Sequence, residues 1–159
     1  MPFIDARGVL LTAGTTGLCS WPAAWCLAEF AYQNKKLFEK SILELGAGIG
    51  LGGIILASSI KLEEPVYLTD VHSGVLQMAE RNAKAANHII GIKAEVRELD
   101  WCSFDEDELR CLLENTDCIV GADIFFEPAL FQGRVMNRGP RSIFFRNFFV
   151  ILMLFSVCW

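Results

Sequence analysis

Two kinds of apolar pattern alternate along the chain. Short uninterrupted apolar runs predict buried β-strands, and they cover residues 41–45, 66–69, 92–99 and 118–126. Longer segments with apolar residues at helical spacing predict α-helices, and they cover residues 21–33, 51–59, 74–86 and 104–114. This alternation predicts an α/β fold, in which right-handed crossovers build a parallel sheet with helices on both faces.

The pattern changes after residue 131. Residues 132–159 are rich in phenylalanine and show neither an amphipathic helix nor a bounded strand. We therefore expect a domain at residues 1–131, followed by an atypical apolar tail at residues 132–159. A sheet that stops at its fourth strand exposes an apolar edge through which chains can associate. We expect the tail to cover that edge or to form a strand or helix, rather than to lie on a membrane.

Composition narrows the class of protein. The 159 residues suit one domain, and a chain that is 53% hydrophobic and 21% charged can build a core. The net charge of −5 lacks the basic footprint of a nucleic-acid binder. It suits a basic substrate such as a lysine-bearing protein, although many inert domains are equally acidic. No secretory signal, CxxC pair or zinc spacing is found, so we expect a cytoplasmic protein with reduced thiols and no metal.

A glycine-rich segment connects the first predicted strand to the next helix. Residues 44–51 read ELGAGIGL, and Asp70 ends the second predicted strand 20 residues after Gly50. Glycines let the backbone approach a ligand closely, and the helix behind them presents N–H groups with partial positive charge. A carboxylate at the position of Asp70 can accept hydrogen bonds from the ribose hydroxyls of an adenosine ligand.

Two classes of cofactor compete for this loop. The dinucleotide pattern Gly-x-Gly-x-x-Gly fits only in a register shifted to Gly48, with its last position at Gly53. The pattern Glu-x-Gly-x-Gly-x-Gly fits from Glu44 without any shift. A third alternative is a glycine turn that serves only tight strand–helix packing. We favour cofactor binding because Asp70 stands at the matching position.

Five segments form an ordered set of motifs. They include TTGLCSWPAAWCLAEF, ILELGAGIGLGG, LTDVHSGVLQMAERNAKAAN, LDW at residues 99–101 and ADIFFEP at residues 122–128. In this order they resemble the seven-β-strand, class I protein lysine methyltransferases, and most closely the family-with-sequence-similarity-86 group. The likeness covers residues 14–130. It implies a Rossmann-like sheet and S-adenosyl-L-methionine as the cofactor.

The resemblance assigns the first part of a cofactor site. Trp21 is implied to lie against the cofactor, and Glu44 to shape the pocket near its amino-acid end. Gly46, Ala47 and Gly48 are implied to line its methionine part. Trp21 has the alternative of a core tryptophan.

The resemblance also assigns the rest of the site. Asp70 is implied to hold the ribose, and Trp101 to sit by the adenine. Ala122 and Asp123 are implied to line the methyl-transfer end, with Asp123 as the catalytic residue that faces the incoming lysine. Trp101 has the alternative of packing over a sheet edge. The family has a tyrosine three residues after the aspartate, where this chain has Phe126.

The predicted function is S-adenosyl-L-methionine-dependent methylation of a protein lysine, with elongation factor 2 as the implied substrate. The family continues after the fourth strand with a helix and three more strands, which the pattern of residues 132–159 does not place. Two alternatives stay open. One is an inactive truncated form that at most binds the cofactor, and the other is a nucleotide- or dinucleotide-binding oxidoreductase domain.

Overall fold

The computed structural model describes residues 15–38, 41–60, 62, 64–100, 103, 105–114, 116–124 and 149–153. Helices and strands alternate, as the sequence predicts. The helices are α1 (Pro22–Gln33), α2 (Leu51–Ser59), α3 (Ser73–Ile90) and α4 (Glu106–Glu114). The strands are β1 (Ile42–Leu45), β2 (Val66–Asp70), β3 (Ala94–Glu98), β4 (Cys118–Ala122) and β5 (Phe149–Met153).

The sheet has the strand order β3-β2-β1-β4-β5, and every neighbouring pair is parallel. The central strand β1 is flanked by β2 and β4, so the carboxyl ends of these three strands meet at one edge. Open α/β sheets bind their ligands at this edge, beside the strand where the chain reverses direction across the sheet. The predicted Rossmann-like fold is confirmed.

Side chains of β1 alternate between two apolar cores, because successive residues of a strand point to opposite faces. Ile42 packs on the face covered by α1, α2 and α3, whereas Leu43 and Leu45 pack on the face covered by α4. The first core contains residues of three helices, Leu27, Ile54 and Ala83 among them. The predicted placement of helices on both faces is therefore confirmed.

The third helix is longer than predicted. It ends at Ile90, before Gly91 with a φ of 70°, where the pattern ended at Ala86. Ile89 and Ile90 are exposed and break the amphipathic spacing, so periodicity alone ends the helix too early. Glycine in the left-handed conformation is a common helix terminator.

The expectation that the tail covers the sheet edge or forms a strand or helix is confirmed at Phe149–Met153, although the sequence pattern gave this strand no limits. This segment forms β5 and pairs with the whole of β4, from Cys118 beside Phe149 to Ala122 beside Met153. The β4 edge is therefore covered by a strand of the tail, as expected. An apolar run without flanking turn residues predicts no strand limits, and parallel pairing is not visible in local sequence. The boundary predicted at residues 131–132 lies outside the described residues.

Candidate functional site

The loop between β1 and α2 reverses direction through glycines with positive φ. Gly46, Gly48 and Gly50 have φ values of 57°, 56° and 84°. Side chains other than glycine rarely adopt this region, which explains why glycine recurs at every second position. Gly50 is the N-cap residue of α2. The loop therefore ends directly at the start of a helix.

The end of β2 holds this loop through backbone hydrogen bonds. The N–H of Ala47 donates to the carbonyl oxygen of Thr69 at 2.8 Å, and the N–H of Gly50 closes a turn onto the carbonyl of Ala47 at 2.9 Å. The hydroxyl of Thr69 in turn donates to the carbonyl of Glu44 at 2.7 Å, in a buried position. The first strand end and the second are thus tied together behind the loop.

Asp70 and the glycine loop face each other. The N–H of Gly48 donates to Oδ2 of Asp70 at 3.1 Å. The N–H groups of Val71 and His72 donate to Oδ1 at 2.8 and 3.2 Å. An ionised carboxylate has about four acceptor positions, so these three donors leave roughly one for a ribose hydroxyl. A second hydroxyl would have to share or replace one of the backbone donors.

Glu44 does not point along the edge but into the core. It shares a face with Ile42, where it is buried beneath the first turn of α2, and the N–H of Gly53 donates to its Oε2 at 2.8 Å. Burial raises the pKa of this carboxyl to about 8, against the opposing effect of the Gly53 hydrogen bond. Glu44 therefore contacts the start of α2, and its predicted role near the amino-acid end of a cofactor stays a prediction.

The glycine pair that follows the loop has a packing role. A Cβ on Gly52 would collide with Oε1 of Glu44, and a Cβ on Gly53 would collide with a methyl group of Leu68. These contacts bring α2 close to β1 and β2. Gly53 is thus explained by helix–sheet packing, whereas the glycines at positions 46–50 are explained by backbone conformation.

Trp21 turns back onto the segment that precedes it. It is the N-cap residue of α1, and its indole N–H donates to the carbonyl of Thr16 at 3.1 Å. Gly17, which follows Thr16, lies close to the glycine loop: a Cβ added to Gly48 would be 3.0 Å from the Gly17 carbonyl oxygen. Gly17 also lies against Val75 of α3. Residues 15–21 therefore cross from the glycine loop to the start of α3.

The end of β4 lies on the other side of β1. Ala122 is partly buried and packs against the first core. Asp123 follows with a φ of 56° and is, among the described residues, the one non-glycine residue with positive φ. Backbone held in this region is typical of functional sites, where surrounding structure fixes it at an energetic cost. Ile124, which follows, is buried in the second core and anchors this turn.

Some predicted residues lie outside the described part of the chain. These are Trp101, which is expected to sit by the adenine, and Phe126, which stands where the family has a tyrosine. One residue that the sequence analysis missed is Asn82 of α3, whose amide donates to the carbonyl of Ile49 in the loop at 3.0 Å. The sequence did carry a signal, because Asn82 interrupts the apolar stripe of α3.

Two further observations concern metal and membrane. Within the part of the chain that the structure describes, no three His, Cys, Asp or Glu side chains are grouped to hold a metal ion. In the same part, none of the helices is both long and apolar enough to cross a membrane.

Comparison with known proteins finds similarity to methyltransferases. The model of the lysine methyltransferase family matches residues 11–135. The human protein-lysine N-methyltransferase EEF2KMT is 30% identical over 129 residues, which cover 75% of this chain and 38% of the relative. Mouse methyltransferase-like protein 22 is 32% identical over 69% of this chain and 31% of the relative.

A third relative carries a different substrate in its name. The histone-arginine methyltransferase METTL23 of Xenopus laevis is 34% identical over 141 residues, which cover 83% of this chain and 57% of the relative. The chain thus spans between about a third and a little over half the length of these relatives.

Proposed function

Because the chain belongs to the lysine methyltransferase family, we propose that it binds S-adenosyl-L-methionine at the carboxyl ends of β1 and β2 and serves methyl transfer to a protein lysine in the cytoplasm. One observation carries this proposal. The N–H of Gly48 meets the carboxylate of Asp70 at 3.1 Å, which brings the loop and the acidic residue of a nucleoside site together.

The residues present fit this cofactor. The backbone of Gly46, Ala47 and Gly48 can pass beneath the methionine part, since side chains are small there. The carboxylate of Asp70 keeps acceptor capacity for the ribose. Trp21 bonds to Thr16, and the carbonyl of the adjacent Gly17 lies close to Gly48. The cofactor contacts of Trp21 and Trp101 stay predictions.

The cofactor supplies a methyl group on a sulfonium, so the protein need not supply a nucleophile. Its own residues have to align the amine and let it lose a proton. A lysine with a pKa near 10.4 is mostly charged at pH 7, a handicap of about 4.6 kcal/mol. Ala122 and Asp123, at the end of β4, are the proposed boundary of the methyl-transfer end. Asp123 would favour the charged amine, so we assign it to orientation and proton relay.

The proposed substrate is elongation factor 2, which the resemblance to the family-with-sequence-similarity-86 group implies. The name of human EEF2KMT describes a protein-lysine N-methyltransferase, and this supports a lysine acceptor. The name of the Xenopus relative describes a histone-arginine methyltransferase instead. A histone is therefore the alternative substrate, and transfer to it has to be compared with transfer to elongation factor 2.

Two measurements on the full chain test the proposal. Calorimetric titration with S-adenosylhomocysteine should give saturable binding, and titration with NAD should give none. Labelled-methyl transfer should then reach elongation factor 2 and not a core histone mixture. Binding of NAD alone would overturn the assignment in favour of a dinucleotide site. Cofactor binding without transfer to either protein would restrict the function to binding, as expected of an inactive truncated form.

A further inference from the structure

The middle of α3 carries a buried amide that reaches the glycine loop. Asn82 is 1% exposed, and its Nδ2 donates to the carbonyl oxygen of Ile49 at 3.0 Å. Ile49 is itself 1% exposed and stands between two glycines with positive φ. The contact joins residues that are 33 positions apart in the chain. It therefore ties α3 to the loop between β1 and α2.

Asn82 lies on a helix face that is otherwise apolar. Val75, Ala79 and Ala86 occupy the same buried stripe. Burying an amide without hydrogen bonds costs about 1–3 kcal/mol, so an asparagine in this position is costly unless its bonds are made. Simple packing would be served by alanine, as at the neighbouring positions.

Hydrogen bonds, that of Asn82 among them, hold two peptide units of the loop at both ends. The peptide unit between Ala47 and Gly48 is held at one end by Asp70 and at the other by the N–H of Gly50. The unit between Ile49 and Gly50 is held at its N–H by Ala47 and at its carbonyl by Asn82. Each peptide unit is thus fixed at both ends.

Such fixation matters because glycine gives the loop freedom to rearrange. Gly48 and Gly50 can adopt either sign of φ at little cost, so the peptide units between them can rotate unless both ends are held. Rotation of the Ile49–Gly50 peptide unit would break the bond from the Gly50 N–H to the Ala47 carbonyl, and the loop could then change shape. Loss of the bond from Asn82 to Ile49 is therefore expected to reduce ligand affinity, in addition to any loss of folding stability.

We propose that Asn82 is a positioning residue for the cofactor, and that it sets the orientation of the glycine loop through the Ile49 carbonyl without touching the ligand. This inference rests on the proposed function, since it assumes that the loop binds S-adenosyl-L-methionine. It adds a determinant of affinity on α3, outside the loop itself.

A matched pair of asparagine variants on one helix tests it. The side chain of Asn87 also forms hydrogen bonds with the backbone. It donates to the carbonyl of Ala94 and accepts from the N–H of Ala94, both at 2.9 Å. Those bonds join α3 to β3, away from the loop. Asn82→Ala is expected to weaken S-adenosylhomocysteine binding about tenfold, the scale of one hydrogen bond. Asn87→Ala should lower the melting temperature and leave the affinity within about twofold.

A second variant covers the case in which Asn82→Ala does not fold. Asn82→Asp keeps the shape but loses the donor when ionised, and it regains an O–H donor when protonated. Its affinity relative to the unaltered chain should therefore recover as pH falls from about 7.5 to 5.5. If Asn82 served folding alone, the affinity of the folded Asn82→Asp protein would not recover at lower pH.

The outcomes separate the two proposals. If the unaltered chain binds S-adenosylhomocysteine and both Asn82 variants bind it equally well at every pH, the positioning role is overturned and the proposed function stands. An equal loss in the Asn82→Ala and Asn87→Ala proteins also overturns it. If the unaltered chain binds none, both the function and the inference fall.

Discussion

Two aspartates follow the strands on either side of β1, and the structure treats them differently. Asp70, at the end of β2, accepts three backbone N–H groups from the glycine loop and the start of α3. Asp123, after β4, has its backbone in the left-handed region with a φ of 56°. Asp70 is distinguished by the hydrogen bonds that its side chain accepts, and Asp123 by its backbone conformation.

This difference separates two ways of building a site. At Asp70 the polar groups are already paired with one another, so a ligand meets a prearranged surface and little ordering is needed on binding. At Asp123 the conformation itself is costly, and the surrounding structure has to maintain it. We expect substitutions at the first aspartate to reduce ligand affinity. At the second, glycine should raise stability while turnover falls.

The largest effect is expected from Asp70→Ala. It removes the acceptor of three N–H groups and the proposed ribose contact, so S-adenosylhomocysteine affinity should fall about 100-fold, or about 2.7 kcal/mol. Isothermal titration measures this. Asp105→Ala is the control, because Asp105 accepts the N–H groups of Asp107 and Glu108 at 2.9 and 3.0 Å at the start of α4. Equal affinity losses in the two proteins would show that helix capping alone is being measured.

A different kind of effect, on stability instead of affinity, is expected from Glu44→Gln, which tests whether the buried Glu44 carboxyl is neutral in the folded chain. The folded pKa of Glu44 is raised from 4.5 to about 8. Between these values the folded chain binds a proton that the unfolded chain lacks, so stability should be fullest below pH 4.5 and decline as pH rises to about 8. The slope is at most about 1.4 kcal/mol per pH unit.

Urea unfolding at several pH values between 5 and 8 measures this decline. Glutamine cannot ionise and still accepts the Gly53 N–H, so the Glu44→Gln protein should lose less stability over the same range. Parallel pH curves for the two proteins would contradict the raised pKa.

The smallest effect is expected from Asp123→Gly, and it concerns the second aspartate. Glycine adopts positive φ without the steric cost that other residues meet, so the free energy of unfolding should rise by about 1 kcal/mol. Methyl transfer should fall, because the carboxylate is gone. Asp123→Asn, which tolerates this conformation and lacks the charge, should lose transfer without the gain in stability. A less stable glycine variant would mean that the Asp123 side chain stabilises the fold.

Much of this architecture could be predicted because it rests on local pattern. The strand at residues 42–45 and the helix at residues 51–59 follow from an apolar run and helical spacing on either side of glycines. The position of Asp70 beside the glycine loop could be predicted because it ends β2, and the carboxyl ends of parallel strands lie at one edge of the sheet. The family resemblance at the same motifs is confirmed by the matching lysine methyltransferase family.

Other features could not be predicted because they depend on distant contacts. The bond from Asn82 to Ile49 spans 33 positions, and the pairing of β5 with β4 joins segments about 30 residues apart. The direction of Glu44 required knowing which face of β1 carries α2. The conformation of Asp123 could not be derived from its residue type alone, because aspartate tolerates the left-handed region but also occurs in many ordinary turns.

The close approach of α2 to the sheet has a consequence for folding. Its first turn contains Gly52 and Gly53, and each glycine costs a helix about 1 kcal/mol relative to alanine. An isolated peptide of nine residues with this opening would have little helical content. In the folded chain the helix packs on Glu44 of β1 and Leu68 of β2, and this packing is expected to stabilise it. Formation of α2 is therefore expected to be coupled to packing on the sheet, and the glycine loop that leads into α2 should take its shape in the same cooperative step.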